Sequence, residues 1–165
     1  MKSIKAAALN DLPVIHDLAN AIWPHAYGDI LSPGQLKYML DKIHSINSLQ
    51  NQLLNLHNFI IVLDNVIPVG FASFSLREEN SSVFHLHKIY VLPNQQGNGT
   101  GKMLLEYVAN SIKEMGATSL TLNVNRHNKA RYFYEKYGFT IEQEVNIDIG
   151  EGYFMNDYIM ELNLK

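Results

Sequence analysis

A glycine-rich turn set between a strand and a helix constrains this chain more than any other stretch. The turn is Gln96-Gly97-Asn98-Gly99-Thr100-Gly101-Lys102. The apolar run before it, Phe84 to Leu92, has the composition of a strand. The segment after it, Met103 to Met115, carries the spacing of an amphipathic helix. Closely spaced glycines let a backbone approach a ligand without Cβ clashes. The free N–H groups of the first helical turn suit an anion. Two nucleotide patterns fail on these residues. The P-loop would need a glycine at Gln96 and a hydroxyl at Met103, and G-x-G-x-x-G would end on Lys102 or Leu104. Gln-x-x-Gly-x-Gly fits, on Gln96, Gly99 and Gly101. On this stretch alone, a plain solvated turn stays open beside an anion site.

At 165 residues the chain is the size of a single domain, 1–165, and buries roughly 70% of its unfolded surface. A net charge of −3 argues against a nucleic-acid protein, which needs a basic face. It also means that any phosphate must be held by local dipoles, each worth roughly 0.3–1 kcal/mol. Cysteine is absent, which excludes disulfides, thiolate nucleophiles and cysteine metal sites. Met1 to Asn10 has no apolar signal-peptide core, and no run approaches the ~18 apolar residues of a membrane span, so a cytoplasmic location is expected. Asn80-Ser81-Ser82 matches a glycosylation acceptor and is read as chance.

Along the chain, Ser3 to Leu9 is a first strand. Asn10 or Asp11 caps a helix with Pro13 in its first turn and Leu12, Ile15, Ala19 and Ile22 on one face. The segment Trp23-Pro24-His25-Ala26-Tyr27-Gly28-Asp29 is expected to break that helix, either as a packed loop or as the wall of an acceptor site. Ser32-Pro33-Gly34-Gln35 is a capping box opening a second helix through Leu36, Met39, Leu40 and Ile43. Ser48 to Asn55 is a short third helix. Phe59 to Leu63 and Val66 to Leu76 are strands joined at Asp64-Asn65. In the run Val83 to Leu92, alternation puts His85, His87 and Ile89 on one face and Phe84, Leu86, Lys88 and Tyr90 on the other. Gly116 closes the helix after the glycine turn, and Ser119 to Asn125 is a strand. Asn128 caps a helix that ends at Gly138, and two strands follow, Phe139 to Ile147 and Tyr153 to Leu164. This order predicts an α/β fold, a mixed central sheet of about seven strands with helices on both faces and the glycine turn at a strand's carboxyl end.

Three segments now stand in a fixed order: Leu86-His87-Lys88-Ile89-Tyr90-Val91-Leu92-Pro93, then Gln96-x-x-Gly99-x-Gly101, then Asn128-x-Ala130-x-x-Phe133-Tyr134-Glu135-Lys136-x-Gly138-Phe139. Together they resemble the GNAT superfamily of acyl-CoA-dependent N-acyltransferases. Leu31 to Leu36 and the stretch from Ile149 to Met160 are similar to its bacterial spermine/spermidine acetyltransferase branch.

The resemblance implies direct acetyl transfer from acetyl-CoA to an amine, with no metal and no covalent enzyme intermediate. It implies that Ile89, Tyr90 and Val91 hold the pantetheine through backbone groups. Gln96, Gly97, Asn98, Gly99, Thr100, Gly101 and Lys102 cradle the pyrophosphate, so side-chain changes at Asn98 or Thr100 should matter less than changes at Gly99 or Gly101. Asn128 would contact the cofactor, and Tyr134 would protonate the departing thiolate. His87 stands where many members carry a glutamate base. A base is needed because an alkyl amine of pKa about 10.4 is neutral roughly once in 10³ at pH 7, which costs about 4–5 kcal/mol. Imidazole suits the task. His85 is a second candidate on the same face. The expected acceptor is a small-molecule amine, with Glu78, Glu79, Asp148, Glu151 and Asp157 available to a polyamine. A peptide or protein amine, a non-catalytic acyl-CoA-binding module and a nucleotide-phosphate binder are the alternatives, and a homodimer is the candidate assembly.

Overall fold

The computed structural model describes residues 1–78 and 81–165. Glu79 and the first residue of Asn80-Ser81-Ser82 lie outside the described residues. The elements are β1 (Lys2–Ala6), α1 (Leu12–Tyr27), α2 (Pro33–His44), α3 (Ile46–Leu54), β2 (Asn58–Asp64), β3 (Ile67–Leu76), β4 (Val83–Val91), α4 (Thr100–Glu114), β5 (Ser119–Asn125), α5 (Ala130–Tyr137), β6 (Thr140–Gly150) and β7 (Tyr153–Asn163). The seven strands form one mixed sheet in the order β1-β2-β3-β4-β5-β7-β6. The chain divides into two compact units: Met1–Ser75 with Lys88–Val108, and Leu76–His87 with Ala109–Lys165.

In the first unit β1, β2 and β3 are antiparallel neighbours. Helix α1 buries Leu12, Ile15, Leu18, Ala19, Ile22 and Trp23 and packs on α2 and α3. The predicted break after Ile22 does not occur, because α1 runs through Pro24 to Tyr27. A proline inside a helix costs roughly 3 kcal/mol and forfeits one backbone bond. Burial of the Trp23 indole, 2% exposed, and its contact with the Tyr27 ring one turn on, at 4.5 Å, offset that cost. The β2–β3 turn also lies one residue later than predicted. A register shift between Val62 and Leu63 pairs Asp64 with Ile67, so Asn65 and Val66 form the turn, with Asn65 left-handed at φ 57°. Helices α2 and α3 meet at Ser45, whose hydroxyl accepts from Ser48 N–H and caps α3.

In the second unit β4 and β5 pair in parallel from Val83↔Ser119 to Leu86↔Leu122. Strand β7 then pairs antiparallel with both β5 and β6. Leu120, Leu122 and Met160 are fully buried from neighbouring strands, as the alternation of β5 requires.

Candidate functional site

The glycine turn belongs to the first unit and is built by its own side chains. Gln96 donates Nε2–H to the Val91 carbonyl at 3.1 Å, tying the turn back to the end of β4. Gly97 and Gly99 take φ of 83° and 85°, where L-residues are strained. A Cβ at either would meet nothing within 4 Å, so the turn presents open backbone there. Helix α4 starts at Thr100, earlier than its apolar spacing suggested, and its first carbonyl bond runs from Met103 N–H to Gly99 O at 3.0 Å. Gly101 and Lys102 therefore lie in the first helical turn, where free N–H groups and the positive end of the dipole favour an anion. Thr100 is 1% exposed and donates to Asn98 Oδ1 at 2.9 Å. Its side chain ties the turn to the start of α4. Lys102 faces solvent beside Glu106, at 3.8 Å.

The carboxyl end of β4 is pressed against β3. A Cβ at Gly70 would stand 2.7 Å from the Tyr90 carbonyl oxygen and 3.3 Å from Val91 Cα, while Leu92 N–H donates to Val69 O at 2.9 Å. The Tyr90 ring joins Trp23, Tyr27, His44 and Phe71, and its hydroxyl bonds that of Tyr27 at 3.1 Å. His44 is fully buried with both ring nitrogens lacking a hydrogen-bond partner among the described residues. Burial, with the positive charge of Lys88 and His16 adding to it, pushes its pKa down to about 3. Lys88 is itself 6% exposed, donates to Gln52 Oε1 at 2.6 Å and lies over the Phe59 ring. Burial pushes its pKa down to about 8.

The second unit carries the two histidines of β4, His85 and His87. His87 is exposed and packs its ring edge-on to His85 at 5.0 Å. His85 Nδ1 shares a 2.7 Å hydrogen bond with Thr121 Oγ1. On the same face of β5 lies Asn123, which donates to Asp157 Oδ2 at 3.4 Å. Asp157 is 3% exposed, and burial raises its carboxyl above the usual range against the lowering influence of Asn123 and Arg126. Tyr134 is buried in α5 against Phe133 and Phe139. Asn128 Oδ1 accepts from Ala130 N–H at 2.9 Å, satisfying one donor at the start of α5. Lys136 is exposed. Among the described residues, no three His, Asp or Glu side chains gather as a metal would require, and no helix is long and apolar enough to cross a membrane.

Sequence reasoning gave Gly70 and Lys88 no role at the site, and it did not pair Tyr27 with Tyr90. Gly70 inside an apolar strand was the available signal, since such a glycine marks close backbone approach.

Comparison with known proteins adds lineage. The family model described as Acetyltransferase (GNAT) domain matches residues 29–150. The chain is 32% identical over 110 residues to the [Ribosomal protein bS18]-alanine N-acetyltransferase of Haemophilus influenzae, covering 67% of this chain and 70% of that one. It is 23% identical over 146 residues to the spermidine N(1)-acetyltransferase of Thermoplasma acidophilum, covering 84% of this chain and 88% of that one. The crystal structure of a PaiA N-acetyltransferase from Thermoplasma acidophilum, in complex with coenzyme A, superposes with a TM-score of 0.84 at 22% identity over 99% of both chains.

Proposed function

The chain belongs to the GNAT acetyltransferase family, an acetyl-CoA-dependent N-acetyltransferase by that membership, and we propose that its acceptor is a primary amine of a small molecule, with polyamines the leading class. Similarity to the spermidine enzyme carries this reading, because it spans 84% of the chain. Acetyl-CoA supplies an activated thioester.

The turn from Gln96 to Lys102 is suited to its pyrophosphate, since Gly97 and Gly99 are open where side chains would otherwise stand. Backbone groups of Ile89, Tyr90 and Val91 hold the pantetheine, and Asn128 adds a contact. Tyr134 gives its hydroxyl proton to the leaving sulfur. His87, exposed on its strand, takes a proton from the acceptor's ammonium and so releases the neutral amine. The same reading places the protein in the cytoplasm, with a homodimer as the assembly to test.

The assay is CoA release followed with a thiol-reactive dye. A chain without cysteine contributes no background. Turnover with spermidine or a diamine, well above that with an alanine-terminated or lysine-containing peptide, supports the reading. The reverse preference moves the acceptor to a peptide amine, which the 32% identity to the alanine acetyltransferase favours. Thermal stabilisation by acetyl-CoA without turnover on any amine would instead mark a binding module.

A further inference from the structure

Of the carboxylates that the sequence offered to a cationic acceptor, Glu78, Asp148 and Glu151 are exposed, while Asp157 is 3% exposed. Solvated carboxylates bind an ammonium weakly, whereas a buried one has already lost its water. Asp157 lies opposite Asn125 in the β5–β7 ladder, on the face of the sheet that carries Thr121 and Asn123. His85 is bonded to Thr121 on that face, and His87 follows two residues on. A polar row therefore crosses β4, β5 and β7 within the second unit.

The carboxylate is sparsely served in that row. It can accept about four hydrogen bonds, yet its protein donor among the described residues is Asn123 Nδ2 at 3.4 Å, near the limit of a useful bond. The Arg126 guanidinium is engaged instead by Glu144, at 2.5 Å, and by Asn146. A buried carboxylate is costly unless paired, and an ammonium brings three donors and the missing charge. Ile159, half-buried next to Asp157 on the same face, offers an apolar surface for methylenes. We propose that Asp157, backed by Asn123, binds a second, non-reacting ammonium of the acceptor, which makes the acceptor a diamine or polyamine. This rests on the acetyl-transfer reading and names the group that selects its substrate.

The test compares 1,4-diaminobutane with 1-aminobutane, which differ only in the far ammonium, on the full chain and on Asp157→Asn. The variant should raise KM for the diamine roughly tenfold or more. It should leave kcat, KM for 1-aminobutane and KM for acetyl-CoA nearly unchanged. An unchanged diamine KM overturns the proposal, as does an equal shift for both amines, which would mark a purely structural carboxylate. Asp157→Glu keeps the charge and should retain preference for the diamine, so the proposal stays testable if Asp157→Asn folds poorly. Calorimetry of 1,4-diaminobutane against CoA-loaded protein separates the two readings. Binding that weakens in Asp157→Asn upholds this site even if no amine is acetylated, which would count against the acetyl-transfer reading alone. Absence of diamine binding at millimolar concentration overturns the site even if another amine turns over.

Discussion

Gly70→Ala adds one methyl group at the tightest backbone contact beside the glycine turn. The new Cβ would stand 2.7 Å from the Tyr90 carbonyl oxygen, 3.0 Å from Val62 Cγ1 and 3.3 Å from Val91 Cα, where ordinary contact begins near 3.4 Å. Two of these neighbours are backbone atoms of β4, so relief requires that strand to recede by about 0.7 Å, the shortfall at the Tyr90 oxygen. Recession stretches the 2.9 Å bond from Leu92 N–H to Val69 O. Overpacking costs about 1–3 kcal/mol, and a weakened backbone bond adds about 0.5–1.5 kcal/mol. Restriction of the unfolded chain returns about 0.4–1 kcal/mol. The balance is a destabilisation of about 2 kcal/mol, or a fall in Tm of roughly 4–8 °C for a chain of this size.

The same displacement moves the backbone of Tyr90 and Val91, assigned to the pantetheine. Loss of one such bond weakens acetyl-CoA by roughly three- to tenfold. Urea denaturation followed by circular dichroism reads the first effect, and calorimetric titration with acetyl-CoA reads the second. Gly99→Ala is the contrasting variant. It meets no neighbour within 4 Å and pays only for its left-handed φ of 85°, so β4 is left in place. If Gly70→Ala unfolds within about 0.5 kcal/mol of the parent, as an indifferent surface change would, and binds acetyl-CoA equally well, the close approach of β3 to β4 has no energetic weight and the reasoning fails.

Tyr134→Phe should lower kcat by roughly 10²-fold, the low end for a general acid, with calorimetric affinity for acetyl-CoA within a factor of about three; a parallel loss of both would assign Tyr134 to packing. His87→Gln should leave a rate that climbs with pH as the free amine accumulates, approaching the parent near the amine's own pKa; superimposable pH–rate profiles would remove His87 as base. Stability should fall as acid reaches His44. Its pKa is about 3 in the folded chain against 6.5 unfolded, so the unfolded state takes up the proton first and the contribution present above pH 6.5 is lost on the way down. Between pH 7 and 5 this costs about 2 kcal/mol. Lys88 acts in the same direction at higher pH: folded near 8 against 10.5 unfolded, it should return about 2 kcal/mol between pH 7 and 9.5. Urea midpoints across pH check both, with His44→Leu losing the acid slope alone.

The glycine turn, the strand before it and the α5 motif were legible because each is a local signal. Spacing alone marks Gly97 and Gly99 for positive φ, and Gly138 for the end of α5. The line of α1 through Pro24 was not legible, since the energy that overrides proline comes from the Trp23 indole, buried against rings of α2 and β4 in the fold. Tertiary burial of that kind leaves no mark in a window of neighbouring residues. The slipped β2–β3 turn has the same origin: a register shift between Val62 and Leu63 is a property of two strands, and Asp64-Asn65 cannot report it.

Strand β4 shows where local reasoning stops for the site as well. Alternation correctly grouped Phe84, Leu86 and Lys88, and it set His85 with His87. It could not say that the face with the lysine is dry, because the acceptor that makes burial tolerable, Gln52, lies 36 residues earlier and is itself held by Ile43 O and Ser48 Oγ. Asp157 follows the same logic in the other unit. In the sequence it is one acidic residue among sixteen; in the fold it is buried and, among the described residues, bonded to Asn123 at 3.4 Å, with the Arg126 guanidinium turned to Glu144. The proposed cofactor contacts rest on backbone shape, which glycine spacing encodes nearby. The proposed acceptor contact rests instead on the dryness of one charged side chain, and dryness is set by whatever element the fold brings alongside.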